Sequence, residues 1–384
     1  MNKPYIPFHK PTIPKKAIRL IEESFKNGWL TTGSHVNLFE SQLSGIIKNK
    51  NVVSTSSCTA ALHTAYMLIG IQKGDEVIVP SFTFCATVNM IVACGGTPVF
   101  VDISKDTYCI DPKDIEHRIT NKTKAIVVVH YAGMPADMTA VNEIARKYNL
   151  FVVEDAAHAL GAIYKGKQIG LGKNITCFSF YATKNLTTAE GGLIACRNNK
   201  DSLFVRMLIN HGMSKIAWNR YKKGGTSQYD VLFPGYKYNM SDIHASIGIA
   251  QINLFQKFQK KRRQIVQLYR ESFKKNPYLH LQIDPPYKDS VHAWHLFTLE
   301  ILPGAKCTRD DLLLYLKNEG VGVSVHYIPN HLQSFYKKKI KTKHLPVTEM
   351  ISNRILSIPL YEKLTVKDIS RISHLVNKAT LYGI

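Results

Sequence analysis

The run "KAIVVVHYAG" (124–133) limits the fold more than any other stretch of this sequence. Residues 125–129 are apolar without interruption, and all but Ala125 are β-branched. A strand with one face in water alternates polar and apolar residues. A continuous run belongs to a strand covered on both faces, the signature of a parallel sheet flanked by helices. "DEVIVPS" (75–81), "TPVFVDI" (97–103) and "FVVED" (151–155) are further short apolar strands. Between the runs at 124 and 151, Val141, Ile144, Ala145 and Tyr148 recur at helical spacing. Strand–helix–strand alternation of this kind predicts an α/β fold with a mostly parallel sheet. "SSCTAALHTAYMLIG" (56–70) is a helix with Leu62, Ala65, Tyr66 and Ile69 on one stripe and a stop at Gly70. Ser56, Ser57 and Thr59 stand at its start, where hydroxyls cap the helix and free N–H groups attract anions.

The second half changes character. Ile243, Ile247, Ala250, Leu254 and Phe258 predict one face of a long connecting helix over about 242–265. Pro277, Pro285 and Pro286 then break the pattern, and "HAWHLFTLEI" (292–301) follows as a strand. Thr308 with Asp311, and Thr365 with Asp368, have capping-box spacing at the heads of two helices. The expected division is a large domain over 1–254, N-terminal segment included, and a smaller α+β domain over 255–384. A chain of 384 residues has the length for both.

Composition removes several classes. A hydrophobic fraction of 45% with 20% charged residues is that of a globular protein, not a disordered one. No window holds the roughly 18 uncharged apolar residues of a membrane helix, and "MNKPYIPFHKPTIPKK" is no secretory signal. The expectation is a cytoplasmic protein without a membrane partner. Seven cysteines, with no C-x-x-C pair, read as reduced packing residues. The net charge of +22 admits nucleic-acid binding. Its basic residues are scattered, however, and the densest run, "YKKKIKTKH" (336–344), lacks aromatic interleaving. Solvated lysine-rich faces and an anionic small-molecule ligand account for the charge better.

Chemistry enters with "CFSFYATKNLTTAEGG" (177–192), in which Lys184 is the one charge before Glu190. A desolvated lysine loses proton affinity and becomes a nucleophile suited to aldehydes. Asp155 ends an apolar strand, where ligands of α/β sheets bind, and a carboxylate there can hold a pyridinium N–H. Ser179 and the Ser57–Thr59 helix start offer phosphate donors, and Phe84 in "PSFTFCAT" offers an aromatic face. Each feature alone is better explained as a solvated lysine, a cap or a core residue. Together they supply what pyridoxal phosphate (PLP) needs.

The chain resembles the DegT/DnrJ/EryC1/StrS sugar aminotransferases, PLP-dependent transferases of fold type I, the aspartate aminotransferase fold. The resemblance runs through "GWLTTGSHVNLFE", "GDEVIVPSFTFCAT", "VHYAGMPADM", "VVEDAAHALGA", "FSFYATKNLTTAEGGLI", "GYKYNMSDIHASIGIAQ", "HAWHLF" and "ILSIPLY". Within the family it is most similar to UDP-4-amino-4-deoxy-L-arabinose–oxoglutarate aminotransferases. The resemblance implies Lys184 as the Schiff-base lysine and Asp155 as partner of the pyridine nitrogen. His158 would contact the ring oxygen. Ser57, Cys58, Thr59 and Ser179 would hold the phosphate and Phe84 would stack on the ring. Thr31, Tyr181 and His326 are implied substrate contacts. Lys237 would reach the phosphate of a neighbouring subunit, making a homodimer with shared sites. Cys58 stands where many members carry Gly, and Lys237 where many carry Asn. The implied reaction moves an amine from glutamate, released as 2-oxoglutarate, to a 4-keto nucleotide sugar for cell-surface polysaccharide or lipid modification. The alternatives are a dehydratase of the same family, in which another residue, typically His, replaces the lysine, and a nucleic-acid-binding regulator.

Overall fold

The computed structural model describes residues 4–214 and 230–384. Ten strands organise them into two sheets, besides a short hairpin at 163–168. The larger sheet holds β1 (Val52–Thr55), β2 (Glu76–Pro80), β3 (Thr97–Val101), β4 (Thr123–Val129), β5 (Phe151–Asp155), β6 (Ile175–Ser179) and β7 (Gly192–Ala195). Their spatial order is β1-β7-β6-β5-β4-β2-β3. β7 pairs antiparallel with both neighbours, and all other pairs are parallel. The smaller sheet is antiparallel, with β9 (Phe297–Ile301) between β8 (Leu279–Leu281) and β10 (Ile355–Ile358).

The unbroken run 125–129 lies in β4, an interior strand of the large sheet, and is buried throughout, as its composition requires. Helix Met138–Lys147 carries the chain from β4 to β5 with Val141 and Ala145 inward. Tyr148 lies past its last turn, half in water. Helix Cys58–Leu68 is buried on nearly every side rather than along one stripe, because it packs between the sheet and helix Cys85–Ala93. Gly70, at φ +71°, ends it. Both capping boxes form, Thr308–Asp311 and Thr365–Asp368. A second apolar cluster gathers β8–β10 and the helices around them, and Ile6 of the N-terminal segment joins it through a bridge to Val321.

Three expectations are corrected. The single helix over about 242–265 is two helices, Asp242–Ile252 and Phe255–Phe273. The break at Asn253–Leu254 lets Phe255 and Phe258 turn into the core, whereas Ile243, Ile247 and Leu254 stay half-buried. Only residues 297–301 of "HAWHLFTLEI" form a strand. In residues 292–296, Ala293 and His295 donate their backbone N–H groups to Gly133 O and Ala132 O, and Trp294 adopts φ +47°. All seven cysteines are free, but Cys85 is exposed rather than packed in the core.

Candidate active site

A parallel sheet exposes the loops at its carboxyl ends as a binding edge. A cavity of about 360 Å³ opens at that edge. Ser57 follows β1, Phe84 follows β2, His130 follows β4, Asp155 ends β5 and Ser179 ends β6, and all five line it.

Lys184 reaches the cavity from the loop between β6 and β7. That loop is closed on itself: Thr188 N–H donates to Phe180 O and Phe180 N–H to Gly191 O, both at 2.9 Å. Lys184 N–H turns back to Tyr181 O at 2.9 Å, so the lysine projects from a fixed apex. Its side chain is half-buried by accessible surface, since the cavity admits water, while its amine end is enclosed by protein. Burial lowers its pKa from 10.5 to about 8, partly opposed by Cys58 and Asp155.

Asp155 is only 5% exposed, and among the described residues it has no ion-pair partner. Thr87 Oγ1 donates to its Oδ2 at 2.7 Å, and Ala157 N–H donates to its Oδ1 at 3.0 Å. With Thr87 committed as donor, the hydroxyl of Thr83, 2.9 Å away, donates to Thr87 in turn. Burial pushes the Asp155 pKa up, while Thr87, Ala157, Lys184 and His130 favour its ionised form. A buried carboxylate that faces the cavity without a direct ion-pair partner among the described residues fits a protonated heterocyclic nitrogen.

The phosphate side is as specific. Ser57 caps helix Cys58–Leu68, its Oγ accepting from Ala60 N–H at 3.1 Å, so the side chain caps while the helix start faces the cavity. β7 presses on this turn. A Cβ at Gly192 would lie 2.4 Å from the Ser57 carbonyl carbon and 2.6 Å from Cys58 N, so only glycine permits the approach. Thr59 and Ser179 line the same end, and Cys58 is buried there with its thiol pKa pushed well up by desolvation. The residues present therefore fit a phosphorylated pyridine aldehyde at every end of the cavity.

His158 accepts Ala132 N–H at Nδ1 (3.2 Å), which places the proton of the neutral ring on Nε2, 3.0 Å from Tyr327 Oη. Burial and the Lys184 charge keep its pKa well below the usual value. His326 lines the cavity beside it, with Nδ1 2.9 Å from Ser357 Oγ and the ring stacked on Phe8. Phe84 and Tyr181 stand at the mouth, 57% and 47% exposed. Two expected residues lie outside the cavity of the single chain. Thr31 is exposed and its carbonyl accepts Asp242 N–H. Lys237 is exposed on a segment bridged to Asn210.

Sequence reasoning did not single out Tyr327, Thr87, His130, Asn185 or His295. Thr87 was within reach, one helical turn beyond Thr83. Asn185 is the chain neighbour of Lys184, and its role shows only through its bonds to Ala293 and His295; Tyr327, His130 and His295 meet the site through tertiary folding.

Comparison with known proteins agrees with this geometry. Residues 11–377 match the model of the DegT/DnrJ/EryC1/StrS aminotransferase family. The chain belongs to that family. Membership makes it a PLP-dependent aminotransferase of fold type I. It is 42% identical to the uncharacterised protein MJ1066 of Methanocaldococcus jannaschii over 382 residues, 98% of each chain. Among solved structures it is similar to Helicobacter pylori PseC, an aminotransferase of pseudoaminic acid biosynthesis. There the TM-score is 0.90 and identity 28%, over 98% of this chain and 99% of that one. It is also similar to Spr1654 of Streptococcus pneumoniae, described as a candidate sugar aminotransferase and solved in its PMP form. There the TM-score is 0.89 and identity 30%, over 98% of both chains.

Proposed function

We propose that the protein transfers an amine from glutamate to a 4-keto nucleotide sugar, UDP-linked, yielding a 4-amino sugar for cell-surface polysaccharide or lipid modification. The observation that carries the reading is the convergence of Lys184, Asp155 and the Ser57–Thr59 helix start on one cavity. Lys184 would anchor the cofactor, and Asp155 would hold its ring nitrogen protonated. Thr59 and Ser179, with the helix-start N–H groups, would bind its phosphate. Phe84 would cover the ring, and His158 would contact its oxygen. The bound cofactor supplies an electron sink for carbanion character at the carbon bearing nitrogen.

The chain's own residues supply the rest. With a pKa of about 8, Lys184 is in part a neutral amine near pH 7 and serves as both acid and base, moving a proton off and onto the reacting carbon. Glutamate leaves as 2-oxoglutarate, and the keto sugar accepts the nitrogen in the reverse sequence. His326 and Tyr181, on the open side of the cavity, would meet the sugar, and Thr31 would do so from the rim. Lys237 would complete the phosphate site of a partner subunit, which accounts for an exposed lysine on this side of the sheet. The presence of Lys184 argues against the dehydratase alternative.

The sugar assignment draws support from two relatives. PseC acts in pseudoaminic acid biosynthesis, and DesI was solved in the presence of its TDP-sugar product. The test is a panel of 4-keto nucleotide sugars carrying UDP, TDP or GDP, incubated with glutamate and scored by product mass. Amination of a UDP-linked 4-keto sugar supports the proposal. Amination of the TDP- or GDP-linked sugars alone, or of none of the panel, refutes it.

A further inference from the structure

Asn185 follows Lys184 in the chain and points away from the cavity. Its Nδ2 donates to Ala293 O at 2.7 Å. A carbonyl accepts only, so this bond fixes which end of the amide is which. The remaining end, Oδ1, lies 3.1 Å from His295 Nδ1. Since Oδ1 also only accepts, the proton of the neutral imidazole sits on Nδ1. His295 Nε2 then carries a lone pair, and it lies 3.5 Å from Lys184 Nζ, at the long end of hydrogen-bond range.

The acceptor is rigidly mounted. Arg262, 1% exposed, donates from Nη1 to Trp294 O and His295 O at 3.2 Å and to Leu360 O at 2.9 Å. His295 N–H bonds Ala132 O at 2.9 Å, and the ring packs 4.4 Å from that of His158.

We propose that His295, held as its Nδ1–H tautomer by Asn185, is the resting acceptor for the Lys184 amine whenever that amine is not joined to the cofactor. It is a positioning residue, which keeps the ammonium pointed along one line and raises its proton affinity. The inference rests on the reading of Lys184 as the cofactor lysine.

The surroundings make this measurable. The groups facing Lys184 are Asp155, Cys58, His9, His158, His295 and His326. Burial lowers His9 to about 3 and His326 to about 4, and holds His158 and His295 well below the usual imidazole value. Burial also holds the Cys58 thiol well above its usual value. Among the amine, thiol and imidazoles of this cluster, Lys184 is therefore the group that changes charge between about pH 7 and pH 9.

The experiment is competitive labelling of the full-length, cofactor-free protein with acetic anhydride across pH, with the Lys184 peptide quantified by mass. Wild type should titrate near the low lysine value. In His295→Leu the midpoint should fall by about one pH unit, the worth of one lost hydrogen bond to a charged group. His295→Gln, which restores an acceptor oxygen, should return it most of the way. Asn185→Leu frees the imidazole to place its proton on Nε2 and should lower the midpoint as His295→Leu does. It carries the test alone if His295→Leu does not fold. A wild-type midpoint in the folded leucine variants overturns the proposal. An ordinary midpoint near 10.5 in wild type itself instead refutes the reading of Lys184, and the role of His295 falls with it.

Discussion

Replacing Lys184 with methionine should stabilise the cofactor-free protein at neutral pH. Methionine keeps the length of the stem and removes the charge that burial opposes. The folded protein holds the amine at about 8, against an ordinary value of 10.5 that the unfolded chain recovers. Between those two values the unfolded state binds more protons than the folded one. Stability conferred by this group therefore rises as pH climbs from about 8 to 10.5, and below 8 the full penalty is present. At about 1.4 kcal/mol per pH unit the penalty over that interval comes to ~3.5 kcal/mol. Water in the cavity reaches part of the side chain, which brings the expected gain to roughly 1–3 kcal/mol. The assay is urea denaturation of both cofactor-free proteins near pH 7 and near pH 10. The methionine variant should unfold at higher urea near pH 7, and the difference should shrink near pH 10. A variant no more stable than wild type near pH 7, or a gain that ignores pH, refutes the claim that Lys184 is held against its solvation.

Asp155→Asn should still bind PLP, followed by absorbance, yet lose about a hundredfold or more in kcat, because an amide cannot hold the ring nitrogen charged; an unchanged kcat would make the carboxylate a structural cap. Asp242→Ala should lower stability by about 2–3 kcal/mol in urea titrations, since it strands the backbone N–H groups of Gly33, His35 and Val36 that the buried carboxylate accepts; a loss below about 0.5 kcal/mol would contradict this. Mixing inactive Lys184→Ala with inactive Lys237→Ala under subunit exchange should restore about a quarter of wild-type activity, because half the dimers are mixed and one of their two sites is intact; no recovery, with exchange verified, places each site within one chain.

The parts of the site legible in the sequence were those whose neighbours in the chain betray them. Lys184 stands out as a charge in an apolar run, and Asp155 as a carboxylate closing a β-branched strand. The central sheet was legible because burial on both faces leaves no polar residue in 125–129. His295 and Asn185 were not, since their meaning lies in an amide orientation set by Ala293 O, more than a hundred residues from Asn185. "HAWHLF" is strand-like as a sequence but forms no strand before Phe297. Its burial comes from a loop wedged against the 131–133 turn, which supplies the hydrogen bonds a sheet would otherwise give. The break at Asn253–Leu254 was hidden by a stripe that stays in phase across it, although only Ala250 and Phe258 of that stripe are buried.

The most direct test of the account is covalent. Purified holoprotein treated with borohydride should lose its visible-edge absorbance, and digestion should then yield one phosphopyridoxyl-bearing peptide, the one containing Lys184. The modification on any other lysine, or on none, would contradict the assignment on which the whole site is built.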